Sequence, residues 1–416
     1  MERKLAIGLF LLLALIVLIF QARHPAWFTH ISTDLYVYFD RATFFVKNLN
    51  LTNLKDNEHL PGAILLFISA APALLINYSF YSYTWGFILV NLLLILAIVY
   101  LTAKFTRLEN VVVLTLILLF TGPIIFFRFD LLVVFLVILS FYFFTKEKIS
   151  LAAIFLSAAT LVKIYPIIFL PYLMFLTIYK GWNQTLRMFL VYSFGVIFLL
   201  FAYMFVFQIP WENINYSLNF HVLKPVHTES IWATLITLYT TLTTKTYPEV
   251  IGAWGINGFA PQYWFAPLWF YNYIWVVPVG LMYLWLFLNR RKTKGSFDLR
   301  FCLIIVLLFL IFSKVLSHQY LLWYMLLVPL LDLKLLLTKI WIFNIFLILL
   351  TTFIHQYIYP LNYSQLLGDF YGQMGRSAHL FWINTLGNLI LIILFISQFI
   401  EYVKKNSSDT WSNRYR

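Results

Sequence analysis

Long apolar runs recur about every 20 to 40 residues along this chain of 416 residues, and that recurrence constrains the fold more than any other feature. A helix needs about 20 apolar residues to cross the hydrocarbon core of a bilayer, and a barrel strand needs about 10. Runs of this length therefore read as helices, which satisfy their own backbone hydrogen bonds in lipid. Composition agrees: the chain is 62% hydrophobic, 20% aromatic and only 11% charged, and its mean hydropathy is +0.85. That excludes a water-soluble domain. The expected fold class is an all-α polytopic membrane protein.

We count thirteen apolar segments, at 5–21, 61–77, 84–103, 111–127, 129–145, 149–163, 165–179, 186–207, 270–289, 301–316, 320–337, 340–357 and 381–400. The first follows a basic head and ends in QARHP, which lacks the small residues of a cleavage site. It is read as an uncleaved signal anchor with its N-terminus inside. Most of the Lys and Arg lie in short connections: Arg3/Lys4, Lys104/Arg107, Lys146/Lys148, Lys180/Arg187, Arg290 to Arg300, Lys334/Lys339 and Lys404 to Arg416. The positive-inside tendency places these connections in the cytoplasm. Two internal termini require an even number of crossings, so one segment should not span. Segment 61–77 opens on Pro61 and contains Pro72, which suits a re-entrant or short, tilted piece. About twelve crossings remain, in a range of eleven to thirteen.

The same topology puts loop 22–60, junction 122–130, the long loop 208–269, junction 313–320 and loop 358–380 outside. It implies one membrane domain over 1–416, with 22–60 and 208–269 as its main extracytoplasmic loops. The net charge of +13 is spread over loops and is no nucleic-acid signal. The single cysteine, Cys302, cannot form an internal disulfide.

Polar residues that break this apolar background are the candidates for chemistry. In the first outer loop, Leu35, Phe39, Ala42, Val46 and Leu49 form one apolar helical stripe, while Asp34, Tyr38 and Arg41 share another face. A helix lying on the membrane surface follows. Asp34 suits either a helix cap or a general base; Asp40 faces elsewhere, as a structural or secondary group. Arg128 and Asp130 are either a self-neutralising interfacial pair or cavity lining. Lys163, in LVKIYPIIFLP, either snorkels or offers a cation to phosphate. His221, Lys224, His227 and Glu229 crowd one stretch of the long loop. Their spacing matches no zinc pattern and suits a polar loop for an anionic or sugar ligand. Lys314, His318, Gln319 and Tyr320 fall between two spans as interface anchors or ligand contacts. Five tryptophans of the long loop, 211, 232, 254, 264 and 269, are either interfacial or available to stack on sugars.

Taken in order, these stretches resemble the GT-C glycosyltransferases. The resemblance is to the catalytic subunits of GPI mannosyltransferase I and, more loosely, to the bacterial polyprenyl-phosphate-mannose-dependent α-mannosyltransferases. Asp34, Asp40 and RATFF echo the first-loop motif D-x5-D-A-A-x-F; VKIYPIIFLP resembles M-K-I-Y-P. FHVLKPVHTESIWATL and SKVLSHQYLLWYMLLVPL resemble the family's long-loop and late motifs.

The resemblance implies a GT-C fold and an extracytoplasmic site, in the plasma membrane of a prokaryote or the endoplasmic reticulum of a eukaryote. It implies a polyprenyl- or dolichyl-phosphate sugar donor, a lipid-linked or glycan acceptor, membrane lipids as partners, no nucleic acid, and inversion at the sugar carbon. Asp34 is then the base, Asp40 and Glu229 are secondary acid/base or structural groups, and Arg128, Lys163, His221, Lys224, Lys314, His318, Gln319 and Tyr320 are the donor-binding set. The family often carries D-x-D where Ser32 stands here. One carboxylate is a poor divalent-metal site, so no cofactor is assigned and a divalent metal is disfavoured. Lys224 stands at an Arg position, and Glu229 and His318 stand near Asn and Ser positions, which bear on sugar and acceptor. A transporter or flippase is the competing class; the absence of an inverted repeat and the clustering of polar residues on one side weigh against it.

Overall fold

The computed structural model describes all residues except 1, 25–32, 53–57, 245–247, 254–255, 291–294, 364, 367–377 and 408–416. Ser32, Trp254, Arg291, Lys292, Lys294, Arg414 and Arg416 lie outside the described residues. The protein is an all-α polytopic membrane protein. Among the described residues six helical stretches are long and apolar enough to cross a membrane: Glu2–Arg23, Phe80–Phe105, Trp182–Phe207, Leu268–Leu288, Lys339–Leu361 and His379–Lys404. Shorter apolar helices fill in between them. Within the chain two compact units are distinguished, the first of residues 1–174, 181–223 and 325–333, the second of 175–180, 224–324 and 334–416.

The first unit holds α1 (Glu2–Arg23), α2 (Thr33–Asn48), α3 (Pro61–Ser69), α4 (Phe80–Phe105), α5 (Asn110–Thr121), α6 (Asp130–Thr145) and α7 (Ile149–Val162). Helix α8 (Leu170–Ile178) begins in this unit, and α9 (Trp182–Phe207) and α10 (Trp211–Leu223) complete it. Helix α3 starts on Pro61 and ends before a 3-10 turn containing Pro72. Its nine residues rise about 14 Å, far short of a bilayer core of about 30 Å. Gly62 lets α3 press against the end of α7: a Cβ there would meet Val162 Cγ2 at 2.6 Å.

Two junctions in this unit are not helical. Helix α5 ends at Gly122, whose φ of 68° is left-handed, and Pro123 opens a 3-10 turn over Gly122–Phe126. Helix α7 ends at an extended Lys163, followed by a turn over Tyr165–Phe169 that contains Pro166. Irregular backbone at membrane depth is tolerated only when it is buried in protein or lines a cavity. The first junction is buried, and Asn91 Nδ2 donates to the Phe126 carbonyl at 3.0 Å. Arg128, Asp130 and Lys163 all sit at these breaks.

Segment 320–337 is the clearest departure from the expected spans. It is no continuous helix but a series of turns, His318–Leu321, Leu322–Met325, Val328–Leu330 and Leu333–Leu336. Pro329 cannot continue a helix, and the carbonyls left open at Pro329 and Leu331 accept from Asn110 Nδ2 at 2.7 and 2.6 Å.

The second unit contains α11 (Ile231–Thr244), α12 (Leu268–Tyr273), α13 (Val276–Leu288), α14 (Leu299–Phe312), α15 (Lys339–Gln356) and α16 (Ala378–Ser407). It also carries a small antiparallel sheet. Strands β1 (Val226–His227), β2 (Val250–Ala253) and β3 (Ile256–Phe259) pair in the order β1-β3-β2. Val226 and Val250 both face Phe259 in register. Helix α14 is buried along nearly its whole length. Its Arg300 pairs with Asp298 at 2.5 Å and with Glu401 of α16 at 3.0 Å.

Candidate functional site

Helix α2 buries more than its apolar stripe. Leu35 and Ala42 are buried, and so is Tyr38, on the face it shares with Asp34 and Arg41; Leu49 is exposed and has a left-handed φ of 56° just past the helix. The reason is packing within the first unit. The Tyr38 ring stacks on Phe67 at 4.1 Å and meets Phe87 and Phe129 at 5.4 and 6.0 Å. Burial, then the nearby Asp34 carboxylate, hold the Tyr38 phenol well above its usual pKa.

One turn before Tyr38, Asp34 reaches the first helix break. Its Oδ2 lies 2.8 Å from Arg128 Nη1. The Arg128 side chain is 3% exposed and that of Asp34 47%, so a buried cation orients a carboxylate that is open to solvent. Among the described residues, Asp34 Oδ1 takes no hydrogen bond. Two residues on, Asp130 is fully buried and accepts from Lys163 Nζ at 2.6 Å. The Lys163 ammonium also lies 4.6 Å above the Phe129 ring. The structure thus brings Asp34, Arg128, Asp130 and Lys163 into one cluster of two anions and two cations. Each of the two carboxylates has a cation partner, Arg128 at 2.8 Å for Asp34 and Lys163 at 2.6 Å for Asp130.

Asp40 is exposed on another face of α2, and among the described residues it makes no ion pair. His221 is exposed near the end of α10, its ring 5.8 Å from that of Phe220. Sequence reasoning passed over Glu58 and His59. The His59 ring lies 5.5 Å from Tyr38, 5.0 Å from Phe67 and 5.5 Å from Phe129, with Glu58 Oε1 3.9 Å from its Nδ1. The signal available was the Glu58–His59 dipeptide, one residue short of the proline that opens α3.

The second unit gathers a separate set. Lys224 and Lys314 are both buried, and Lys314 Nζ donates to the Lys224 carbonyl at 2.6 Å. Burial, reinforced by the Lys224 charge, lowers the Lys314 pKa to about 7. A nearby anion would favour the charged form of Lys314.

The neighbouring stretch 227–230 is buried and pinned. His227 N–H donates to the Lys314 carbonyl at 2.9 Å, and Ser230 caps α11 through the Ala233 N–H at 3.2 Å. Asn384 and Asn388 of α16 donate to the carbonyls of Thr228 and Glu229 at 3.3 and 3.2 Å. His227 Nδ1 is 2.5 Å from the Leu316 carbonyl; a carbonyl only accepts, so Nδ1 carries the proton.

Burial pushes His227 down to about 4 and Glu229 up to about 8. Their 4.0 Å approach is therefore a contact of two neutral groups at pH 7, not an ion pair. The Glu229 carboxyl accepts the His318 backbone N–H. The His318 ring lies 5.8 Å from that of His355, and Tyr320 stacks on Trp323 at 4.3 Å beside a half-buried Gln319. Trp232 and Trp264 pack on Tyr271 at 5.6 and 5.9 Å and spend their indole N–H on the carbonyls of Phe312 and Phe259. They build this unit's interior, whereas Trp211 and Trp269 are exposed. Among the described residues, no three His, Cys, Asp or Glu side chains gather as a metal site.

Chemically, the first cluster offers an oriented, accessible carboxylate. The second offers a lysine pair and a carboxyl group that carries its proton at neutral pH. Residues 61–313 match glycosyltransferase family 87. The matched segment includes Arg128, Asp130, Lys163, Lys224 and Glu229; Asp34 precedes it, and Lys314 and His318 follow it. No curated protein matches the chain. With more than half of its length matched, and with a helical membrane fold around that match, the chain belongs to glycosyltransferase family 87 and is a membrane glycosyltransferase.

Proposed function

We propose that this glycosyltransferase takes a hexose, mannose-like, from a polyprenyl or dolichyl monophosphate and passes it to a lipid-linked or glycan acceptor. The reaction occurs on the extracytoplasmic face, with a prokaryotic plasma membrane as the favoured setting. Asp34 is the general base. The observation that carries this reading is the Asp34–Arg128 pair: one carboxylate oxygen is anchored by a buried guanidinium while the Asp34 side chain stays 47% exposed. A base must be oriented before it can take a proton in the transition state, and such positioning is worth about 10²–10⁴-fold in rate.

In the proposed step the acceptor hydroxyl attacks C1 of the donor sugar. The O–H proton passes to Asp34 Oδ1, the new C1–O bond forms, and the C1–O(phosphate) bond breaks with its electron pair leaving on the lipid phosphate. A single displacement without a covalent enzyme intermediate inverts the anomeric centre. Arg128 keeps the carboxylate aimed. Asp130 and Lys163 neutralise each other beneath it, so that the cluster adds no net charge to the site.

The test is sugar transfer in membranes carrying the chain, with labelled polyprenyl-phosphate hexose as donor. Asp34→Asn should lower the rate by about 10²-fold or more while the protein stays folded and inserted. Full activity in that variant sinks the assignment of the base. Efficient use of a nucleotide sugar without a lipid carrier sinks the assignment of the donor.

A further inference from the structure

We propose that His59, steadied by Glu58, is a positioning residue of the Asp34–Arg128 pair, and that the reaction requires its neutral form. The inference rests on Asp34 as the base.

His59 is wedged among the residues that carry the pair. It meets Tyr38, which follows Asp34 by one turn of α2. It also meets Phe129, which lies in the chain between Arg128 and Asp130. Phe67 closes the third side, and all three rings stand nearly perpendicular to the imidazole, at 79° to 88°. The backbone is held as well, because Ser217 Oγ of α10 donates to the His59 carbonyl at 3.1 Å. A side chain fixed in this way transmits its state to Tyr38 and Phe129 rather than absorbing it by moving.

The charged and titratable groups around it are Glu58 on its own segment, Asp34 and Tyr38 on α2, Arg128 and Asp130 at the first helix break, and Lys163 at the second. The Asp34, Arg128, Asp130 and Lys163 cluster is balanced by itself, and Glu58 adds one negative charge beside His59. A proton on His59 adds a third cation. An additional cation favours the ionised form of a carboxylate, so Asp34 becomes a poorer proton acceptor. Glu58, 3.9 Å from Nδ1, favours the imidazolium and sets where along the pH axis this happens.

The experiment is the pH–rate profile of sugar transfer for the wild type, His59→Gln and Glu58→Gln, with kcat and KM measured separately. The wild-type kcat should fall on the acid side. In His59→Gln that fall should move to lower pH by about one unit or more, with the plateau above it kept within several-fold. Glu58→Gln should move it in the same direction, because the imidazolium loses its carboxylate. A purely structural role would lower the rate equally at every pH and leave the profile in place, and that result overturns the inference. Where His59→Gln does not fold, the Glu58→Gln profile decides alone. The two readings separate cleanly. Activity surviving Asp34→Asn removes the base, whereas an inactive Asp34→Asn beside an unmoved His59→Gln profile removes only the role of His59.

Discussion

Asp34 Oδ2 lies 2.8 Å from Arg128 Nη1, so a carboxylate on a helix outside the long spans is aimed by a guanidinium buried at a helix break. The asymmetry between the partners sets the expected outcome. Asp34 keeps about half its exposure and can be solvated without Arg128, so the loss of Arg128 should cost orientation more than stability.

Arg128→Lys keeps the charge but not the planar reach of the guanidinium. We expect kcat/KM to fall by about 10²-fold, with kcat carrying most of the loss and little change in Tm. Initial rates with the lipid-linked donor, alongside thermal unfolding in detergent, check this. A large fall in Tm with a preserved rate per folded molecule would contradict it.

The Asp130–Lys163 pair should behave in the opposite way. Asp130 is fully buried and Lys163 nearly so. Removing one partner strands the other as an uncompensated buried charge, at a cost of about 3–5 kcal/mol. Asp130→Asn and Lys163→Met should therefore each destabilise strongly, while the double variant recovers much of the loss. Denaturant unfolding of the three proteins measures the coupling.

The sequence made the membrane class legible because apolar runs of this length have few alternatives. It also placed the break near 61–77, since Pro61 and Pro72 act locally. It put Asp34 and Tyr38 on one helix face but did not reveal the burial of Tyr38, which is set by Phe67, a residue of another helix. Segment 320–337 read as a span because its composition is apolar throughout; the turns that break it are sustained by Asn110, more than two hundred residues earlier. The pairing of Asp34 with Arg128 and of Asp130 with Lys163 was likewise invisible. Adjacent charges at 128 and 130 suggest a pair with each other, whereas each finds its partner on a different element.

The small sheet of the second unit depends on Gly258. A Cβ at this position would meet Pro225 Cγ at 2.6 Å and the Val226 carbonyl oxygen at 2.7 Å. The carbonyl belongs to backbone and can yield only by shifting β1, the strand that carries His227. Gly258→Ala should cost about 1–3 kcal/mol, the range for overpacking a tight contact. A thermal shift of the purified protein tests this, and an unchanged Tm would show that β1 can move without penalty.

Glu229 should make stability fall as pH rises. Its folded-state pKa is about 8 against an ordinary value of 4.5, because burial penalises the carboxylate. Between those two values the folded protein holds a proton that the unfolded chain has released. The contribution is therefore complete below about pH 4.5, shrinks as pH climbs, and is gone once pH passes about 8. Lys314 acts with the opposite sign: its folded pKa of about 7 lies below the usual 10.5, so its contribution is complete above 10.5 and is lost as pH falls through about 7. The two are separated by substitution. In Glu229→Gln the neutral amide replaces the protonated acid, and the part of the decline between about pH 5 and pH 8 that belongs to Glu229 should vanish. Unfolding free energies of wild type and Glu229→Gln across that range should diverge by a few kcal/mol, on the order expected for a fully buried carboxyl. Parallel curves would mean that Glu229 is ionised in the folded protein and that a cation or solvent reaches it there.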